Sequence, residues 1–475
     1  MTQEDLGFTP ATRLAEMIRT KKLSPVEVVG GVLARIAALD PQVNAFAHLA
    51  PERAMDAARA AEAALLGGGP IGPLHGVPVT IKDLAITKDM PTRFGSKMMG
   101  DNQPGEDTPM VTRLEAAGAI VLGKTTTSEF GWKGVSQSPL TGITHNPWKH
   151  GYNAGASSAG AAAAAAAGFG PLHHGSDGAG SIRMPAHFCG VFGLKPSFGR
   201  IPAYPVSAGD YTSHNGPITR TVADAALFLG ITAGPHPLDH TTLEAGPADY
   251  LGRLHDGVRG KRIAYSPDLG HARVDPEVAA LVAAAARRFA DLGAVVEEVP
   301  VPWGPQGPEL IRLFWPAHLT RLAAKLPEWE SRMDPGLVAC IRAGEKVSIE
   351  TYQLARERKH AYIAAIHRWF EDWDLLLTPA VSVAAFPAER LNPEHWPQPA
   401  WDWVQWAEFS YPFNMAWNPA ASVPCGFTEA GLPVGLQVVG KRFDDLSVLQ
   451  AAAAFEQAQP WADRRPALTC PPALT

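Results

Sequence analysis

Apolar positions in the first part of the chain recur at helical spacing and then switch to alternation. After Ser24-Pro25-Val26-Glu27, the residues Val28, Val29, Val32, Leu33 and Ile36 fall on one helical face. Ser24 with Glu27 three positions on reads as a capping box, and Pro25 occupies the first helical turn, where its missing N–H costs nothing. The alanine-rich stretch 51–66 predicts a second helix, ended by Gly67-Gly68-Gly69-Pro70. From Gly76 the period shortens. Val77, Val79 and Ile81 alternate, which predicts a strand that delivers Lys82 and Asp83 at its end. Asp107-Thr108-Pro109 predicts a helix start, Gly118 its stop, and 119–123 a short apolar strand. The same order returns with a strand at 262–265, a helix from Asp275-Pro276 to about Gly293, and a strand at 295–299. Strand, helix and strand in succession predict an α/β protein with a central mixed β-sheet covered on both faces by α-helices.

Two stretches depart from this pattern. Residues 150–220 are dense in glycine, serine and alanine, yet they interleave apolar pieces such as Ala161 to Ala167 and hold Asp177, Arg183 and Lys195. A flexible linker has no reason to keep such charges, whereas small residues let backbone approach backbone or a ligand. Residues 303–410 are read as helical and carry nine tryptophans, including Trp303, Trp315, Trp401, Trp403 and Trp406. They suit a cap over a site or an oligomer surface. Trp401, Trp403, Trp406 and Phe409 are spaced so that some would face a pocket from one helix. No internal repeat interrupts the chain, so 1–475 reads as one catalytic domain. Its core is 70–230, and 303–410 is a helical, Trp-rich excursion near the substrate entrance.

Composition narrows the class. In 475 residues, 46% are hydrophobic and 19% charged, the mix of a globular protein with a large core. A formal net charge of −6 argues against nonspecific nucleic-acid binding and against a basic membrane-surface patch. No apolar run reaches the ~20 residues of a membrane span. The polar start, Met1-Thr2-Gln3-Glu4-Asp5, does not resemble a signal peptide. Cys189, Cys340, Cys425 and Cys470 form no C-x-x-C and no zinc-spaced cluster, so they read as free thiols of a reducing compartment. A cytoplasmic enzyme is expected.

Common hydrolase signals are missing: the chain has no G-x-S-x-G, no H-E-x-x-H and no phosphate-binding glycine loop. His173 and His174 are adjacent and so face opposite sides of a strand, which reads as two ordinary sheet histidines. What remains is serine in small-residue loops. Gly155-Ala156-Ser157-Ser158-Ala159-Gly160 opens the alanine helix, and Gly175-Ser176-Asp177-Gly178-Ala179-Gly180-Ser181-Ile182-Arg183 follows it. Around Gly178, Ala179 and Gly180 the backbone N–H groups are free to converge on one point, an oxyanion hole just before Ser181. A serine there needs a base, and a lysine serves if burial keeps it neutral.

These segments resemble the amidase signature family, serine hydrolases with a Ser-cisSer-Lys triad. The matching pieces are Gly76 to Asp83, Thr127-Ser128-Glu129-Phe130, Asn146-Pro147-Trp148, Gly155 to Gly160, Gly175 to Ala186, Gly193 to Arg200, Asn418 to Pro424 and Gly431 to Gln437. They occur in order over nearly the whole chain, and the spacings between Lys82, Ser157 and Ser181 are usual for the family. The resemblance implies the amidase-signature fold, with Ser181 as nucleophile, Ser157 as bridging serine after a cis peptide, and Lys82 as base. It also implies oxyanion-hole amides at Gly178, Ala179, Gly180 and Ser181. Ser158, Ser176, Asp177 and Arg183 are expected to support the triad, the last two as a pair, and Trp132 corresponds to an acyl-pocket position. Ala156 and Ala159 replace glycines of the usual first loop, and Gly178-Ala179-Gly180 replaces Thr-Gly-Gly, while all three chemical groups remain.

The activity so implied is hydrolysis of the C–N bond of a small apolar or aryl amide. The same acyl-enzyme brings esters and carbamates (urethanes) within reach. No metal or organic cofactor is implied, and family members are often homodimers. Two alternatives stand beside this reading. One is the glutamine-hydrolysing subunit of a tRNA-dependent amidotransferase, from the same family. The other is a catalytically dead binding protein on the same scaffold, against which the intact Lys82, Ser157 and Ser181 argue.

Overall fold

The computed structural model describes residues 2–207, 209, 212–244 and 249–468. Cys470 lies outside them. Eleven strands form one sheet. Their spatial order is Phe46–Leu49, Ile120–Thr125, Pro78–Lys82, Leu172–Asp177, His214–Thr219, Phe192–Lys195, Ala420–Phe427, Pro433–Gly440, Leu375–Pro379, Arg262–Tyr265 and Val295–Glu298. The sheet is mixed. Pro78–Lys82 runs parallel to both of its neighbours, and Arg262–Tyr265 does the same, whereas the middle of the sheet is antiparallel. Helices cover both faces, as expected.

Local signals and elements agree closely in the first quarter. Ser24 caps the helix Pro25–Val43 by accepting from the amides of Val26 and Glu27 while Glu27 accepts from Ser24, and Pro51–Leu66 is the second predicted helix. Thr108 precedes the helix Pro109–Ala116 without capping it, because its hydroxyl accepts from the amide of Tyr204 at 3.1 Å instead. The helix Ala159–Ala167 is buried on every side. Alanine and glycine alone permit this, since a Cβ on Gly160 would strike the backbone of Ala45 and Thr126.

The stretch 303–410 is not wholly helical. Gly307–Leu319, Pro335–Gly344 and Ile349–Trp369 are helices, but Leu375–Pro379 is a strand of the main sheet, and 380–402 is neither helix nor ladder strand. Three consecutive leucines at 375–377 suit a strand covered on both faces. Trp303, Trp403, Trp406 and Phe409 are buried in one apolar cluster, and the short turn Trp403–Trp406 includes neither Trp401 nor Phe409, so the four aromatics expected on one helix do not share one. Cys189, Cys340 and Cys425 are buried free thiols.

Candidate active site

Lys82 ends a strand that is buried along its whole length. Alternation sends it and Asp83 to different sides. Asp83 accepts from the amide of Arg93 at 3.0 Å and lies 4.0 Å from Lys124 Nζ. Lys82 turns instead into the serine loops. Its Nζ lies 2.7 Å from Ser157 Oγ, 2.8 Å from Ser158 Oγ, and 3.0 Å from both the carbonyl and the hydroxyl of Ser176. Burial pushes its pKa well below the ordinary lysine value, and the charge of Asp177 opposes this only in part. Burial among these hydroxyls therefore disfavours the charged form of the amine.

The backbone brings the two serine loops together. Gly155 has φ of +109°, and a Cβ there would collide with Pro185, so the turn before Ser157 presses against the helix that follows Ser181. Ser157 and Ser181 are each 3% exposed, and the Ser157 amide donates to Ser181 Oγ at 3.4 Å. Two details differ from expectation. The cis bond expected before Ser157 is absent, and Tyr204–Pro205 is the one cis peptide among the described residues. A trans bond is the low-energy form wherever no proline follows, and Ser157 Oγ reaches Lys82 from it. Gly180 is also not a free oxyanion donor, because its amide donates to Asp177 Oδ1 at 2.6 Å. The amides of Gly178, Ala179 and Ser181 have no such partner among the described residues.

Asp177 and Arg183 form the buried pair. Arg183 Nε donates to Asp177 Oδ2 at 3.0 Å and its Nη2 to Oδ1 at 2.9 Å. Burial pushes the Asp177 carboxyl up, but the Arg183 charge and hydrogen bonds outweigh it and hold the acid well below the usual range. The same carboxylate accepts from the amides of Gly180 and Ile182, so it clamps the chain on both sides of Ser181. Three further residues complete this support. Asn414 donates to the carbonyl and carboxylate of Asp177 at 2.8 Å, Gln437 accepts from Arg183 at 2.8 Å, and Ser410 Oγ donates to the Ala179 carbonyl at 2.7 Å. Gln437 lies inside a segment that the sequence singles out. Ser410 and Asn414 do not, although polar residues in the aromatic run 409–417 are a signal.

Ser158 and Ser176 contact Lys82 directly and each other's loops, since Ser158 Oγ also donates to the Ser176 carbonyl at 3.1 Å. His173 and His174 are buried and neutral, their pKa values pushed down by burial to about 4 and about 3. Trp132 is fully buried. Its ring abuts Gly336, and its carbonyl accepts from the indoles of Trp315 at 2.9 Å and Trp403 at 2.8 Å. These contacts tie it to Trp315, Gly336 and Trp403. Among the described residues, no group of three or more His, Cys, Asp or Glu side chains is arranged to hold a metal ion.

A large mixed sheet flanked by helices, with a buried lysine set between two serine loops, defines an amidase-signature enzyme. The chain belongs to this family: the family described as Amidase matches residues 27–449. An acylamidase of Rhodococcus erythropolis is 39% identical, with 98% of this chain and 99% of that protein covered. A glutamyl-tRNA(Gln) amidotransferase subunit of Moorella thermoacetica is 35% identical over 98% of this chain and 99% of its own length. Among solved structures, a bacterial aryl acylamidase of the amidase signature family superposes with a TM-score of 0.89 at 31% identity, covering 96% of this chain and 97% of that one.

Proposed function

We propose that the protein hydrolyses the C–N bond of a small apolar or aryl amide through an acyl-enzyme on Ser181. The observation that carries this reading is the fully buried amine of Lys82, within 3.0 Å of three serines, one of which contacts Ser181. Neutral Lys82 accepts the proton of Ser157 Oγ. Ser157 in turn accepts the proton of Ser181, whose hydroxyl first rotates from the Ser157 amide to the Ser157 oxygen. Ser181 Oγ then bonds to the amide carbon, and the oxyanion receives the N–H groups of Gly178, Ala179 and Ser181. As the C–N bond breaks, the proton returns from Lys82 through Ser157 to the leaving amine. Water, deprotonated by the same relay, attacks the acyl carbon, and Ser181 leaves with its proton restored. Esters and carbamates fit the same sequence of bonds.

Hydrolysis of free glutamine, the reading suggested by the amidotransferase relatives, uses the same relay but needs recognition of a charged amino acid. A panel of an aryl amide, an aliphatic amide, an aryl ester, an aryl carbamate and glutamine separates the two. Aryl amide turnover by the wild type, lost in Ser181→Ala, is the expected result. Turnover of glutamine alone refutes the stand-alone amidase, and an active Ser181→Ala refutes the nucleophile.

A further inference from the structure

The excursion brings one half-buried aromatic side chain to the nucleophile loop. Trp315 lies on the helix Gly307–Leu319, and the benzo edge of its indole stands 3.8–3.9 Å from where a Cβ would sit on Gly178. Gly178 and Ser176 are also partly open, whereas Ala179, Gly180 and Ser181 are buried. Trp315 therefore flanks the partly open part of this loop at Gly178. The ring is held on two sides. Its Nε1 donates to the Trp132 carbonyl at 2.9 Å, and the ring forms a T-shaped pair with Trp403, with centroids 5.5 Å apart at 81°. Trp132 and Trp403 are themselves fully buried, so the plane of the Trp315 ring is set before any ligand arrives.

We infer that Trp315 is the specificity-determining residue of this site, the wall against which the aromatic ring of an aryl amide packs. The inference rests on the reading of Ser181 as nucleophile. The one polar atom of the indole is already used by the Trp132 carbonyl. What remains for a substrate is apolar and π surface beside the proposed oxyanion amides of Gly178 and Ala179. Such a surface favours a flat aromatic group and supplies no hydrogen bond to an amino acid's ammonium or carboxylate. A second aromatic pair lies on the segment that passes next to Ser157. Phe130 stacks on Phe94 with centroids 6.1 Å apart, and Gly131 next to it directs its Cβ position to 3.5 Å from Ser157 Oγ. Both phenylalanines hold left-handed backbone, at φ of 50° and 55°, a conformation that side chains of this size rarely adopt and that recurs at functional sites.

The test is the ratio of kcat/KM for acetanilide to that for propionamide, measured on the wild type, Trp315→Ala and Trp315→Leu. Labelling of Ser181 by a small alkyl fluorophosphonate is followed in parallel. Trp315→Leu keeps apolar bulk if the alanine variant fails to fold. The expected result is a wild type that prefers the anilide and a ratio that falls by about tenfold or more in both variants, the size of a lost aromatic contact with its buried area. An unchanged ratio with Ser181 still labelled overturns the role of Trp315 and leaves the nucleophile standing. A wild type that prefers propionamide does the same. A wild type that is not labelled at Ser181 overturns both.

Discussion

Replacing Lys82 by methionine tests the central claim, that this lysine is neutral in the folded protein. Methionine keeps an unbranched apolar stem and removes the amine. The sign of the effect follows from linkage. Burial depresses the folded-state pKa of Lys82, whereas the unfolded chain keeps a value of about 10.4. Between those two values the unfolded state binds one proton more than the folded state. Wild-type stability therefore rises with pH through that window by about 1.4 kcal/mol per pH unit, and the methionine variant lacks this term. The difference in unfolding free energy, wild type minus variant, is expected to grow by up to about 2.8 kcal/mol between about pH 7.5 and about pH 9.5, the full amount when the folded value lies below that interval. Urea denaturation of both proteins at those two pH values reads it directly, because every other titrating group cancels in the difference. Lost contacts to Ser157, Ser158 and Ser176 add a constant of about 1 kcal/mol each and leave the slope untouched. The kinetic counterpart is a fall in kcat of about 10²–10⁴ or more. A flat stability difference would mean that Lys82 carries its proton in both states, and the relay would then have no base.

Three further outcomes are expected. In the wild type, kcat/KM for the aryl amide falls tenfold per unit on the acid side once pH drops below the folded pKa of Lys82, since only the unprotonated amine accepts; a rate that is level into acid counts against the mechanism. Arg183→Met leaves the buried Asp177 carboxylate without its counter-charge and is expected to cost about 3–5 kcal/mol in urea unfolding; a loss under about 1 kcal/mol contradicts the clamp. Gly155→Ala forces a Cβ into Pro185 at positive φ and is expected to cost about 1–3 kcal/mol and to lower kcat by displacing Ser157; unchanged melting and turnover would refute the close approach.

Sequence by itself determined what local chemistry controls. The capping box at Ser24, the alternation that ends at Lys82, and the small-residue loops around Ser157 and Ser181 were readable because each depends on neighbours within a turn or a strand. The identity of the candidate triad was readable through its ordered segments. Tertiary structure decided everything that depends on what a group meets from far along the chain. The hydroxyl of Thr108, at the predicted helix start, accepts from the distant amide of Tyr204 rather than from its own helix, and three leucines inside a helical stretch became a strand because the sheet had a place for them. The amide of Gly180 went to Asp177 rather than to the expected oxyanion hole, and Arg183 found Asn414 at a separation of 231 residues. Among the excursion's tryptophans, Trp315 meets the nucleophile loop at Gly178, and Trp403 and Trp406 are buried. The basicity of Lys82 belongs to the same class. A lysine's type is written in the chain, but its charge is set by how much water remains around it, and only the folded packing fixes that.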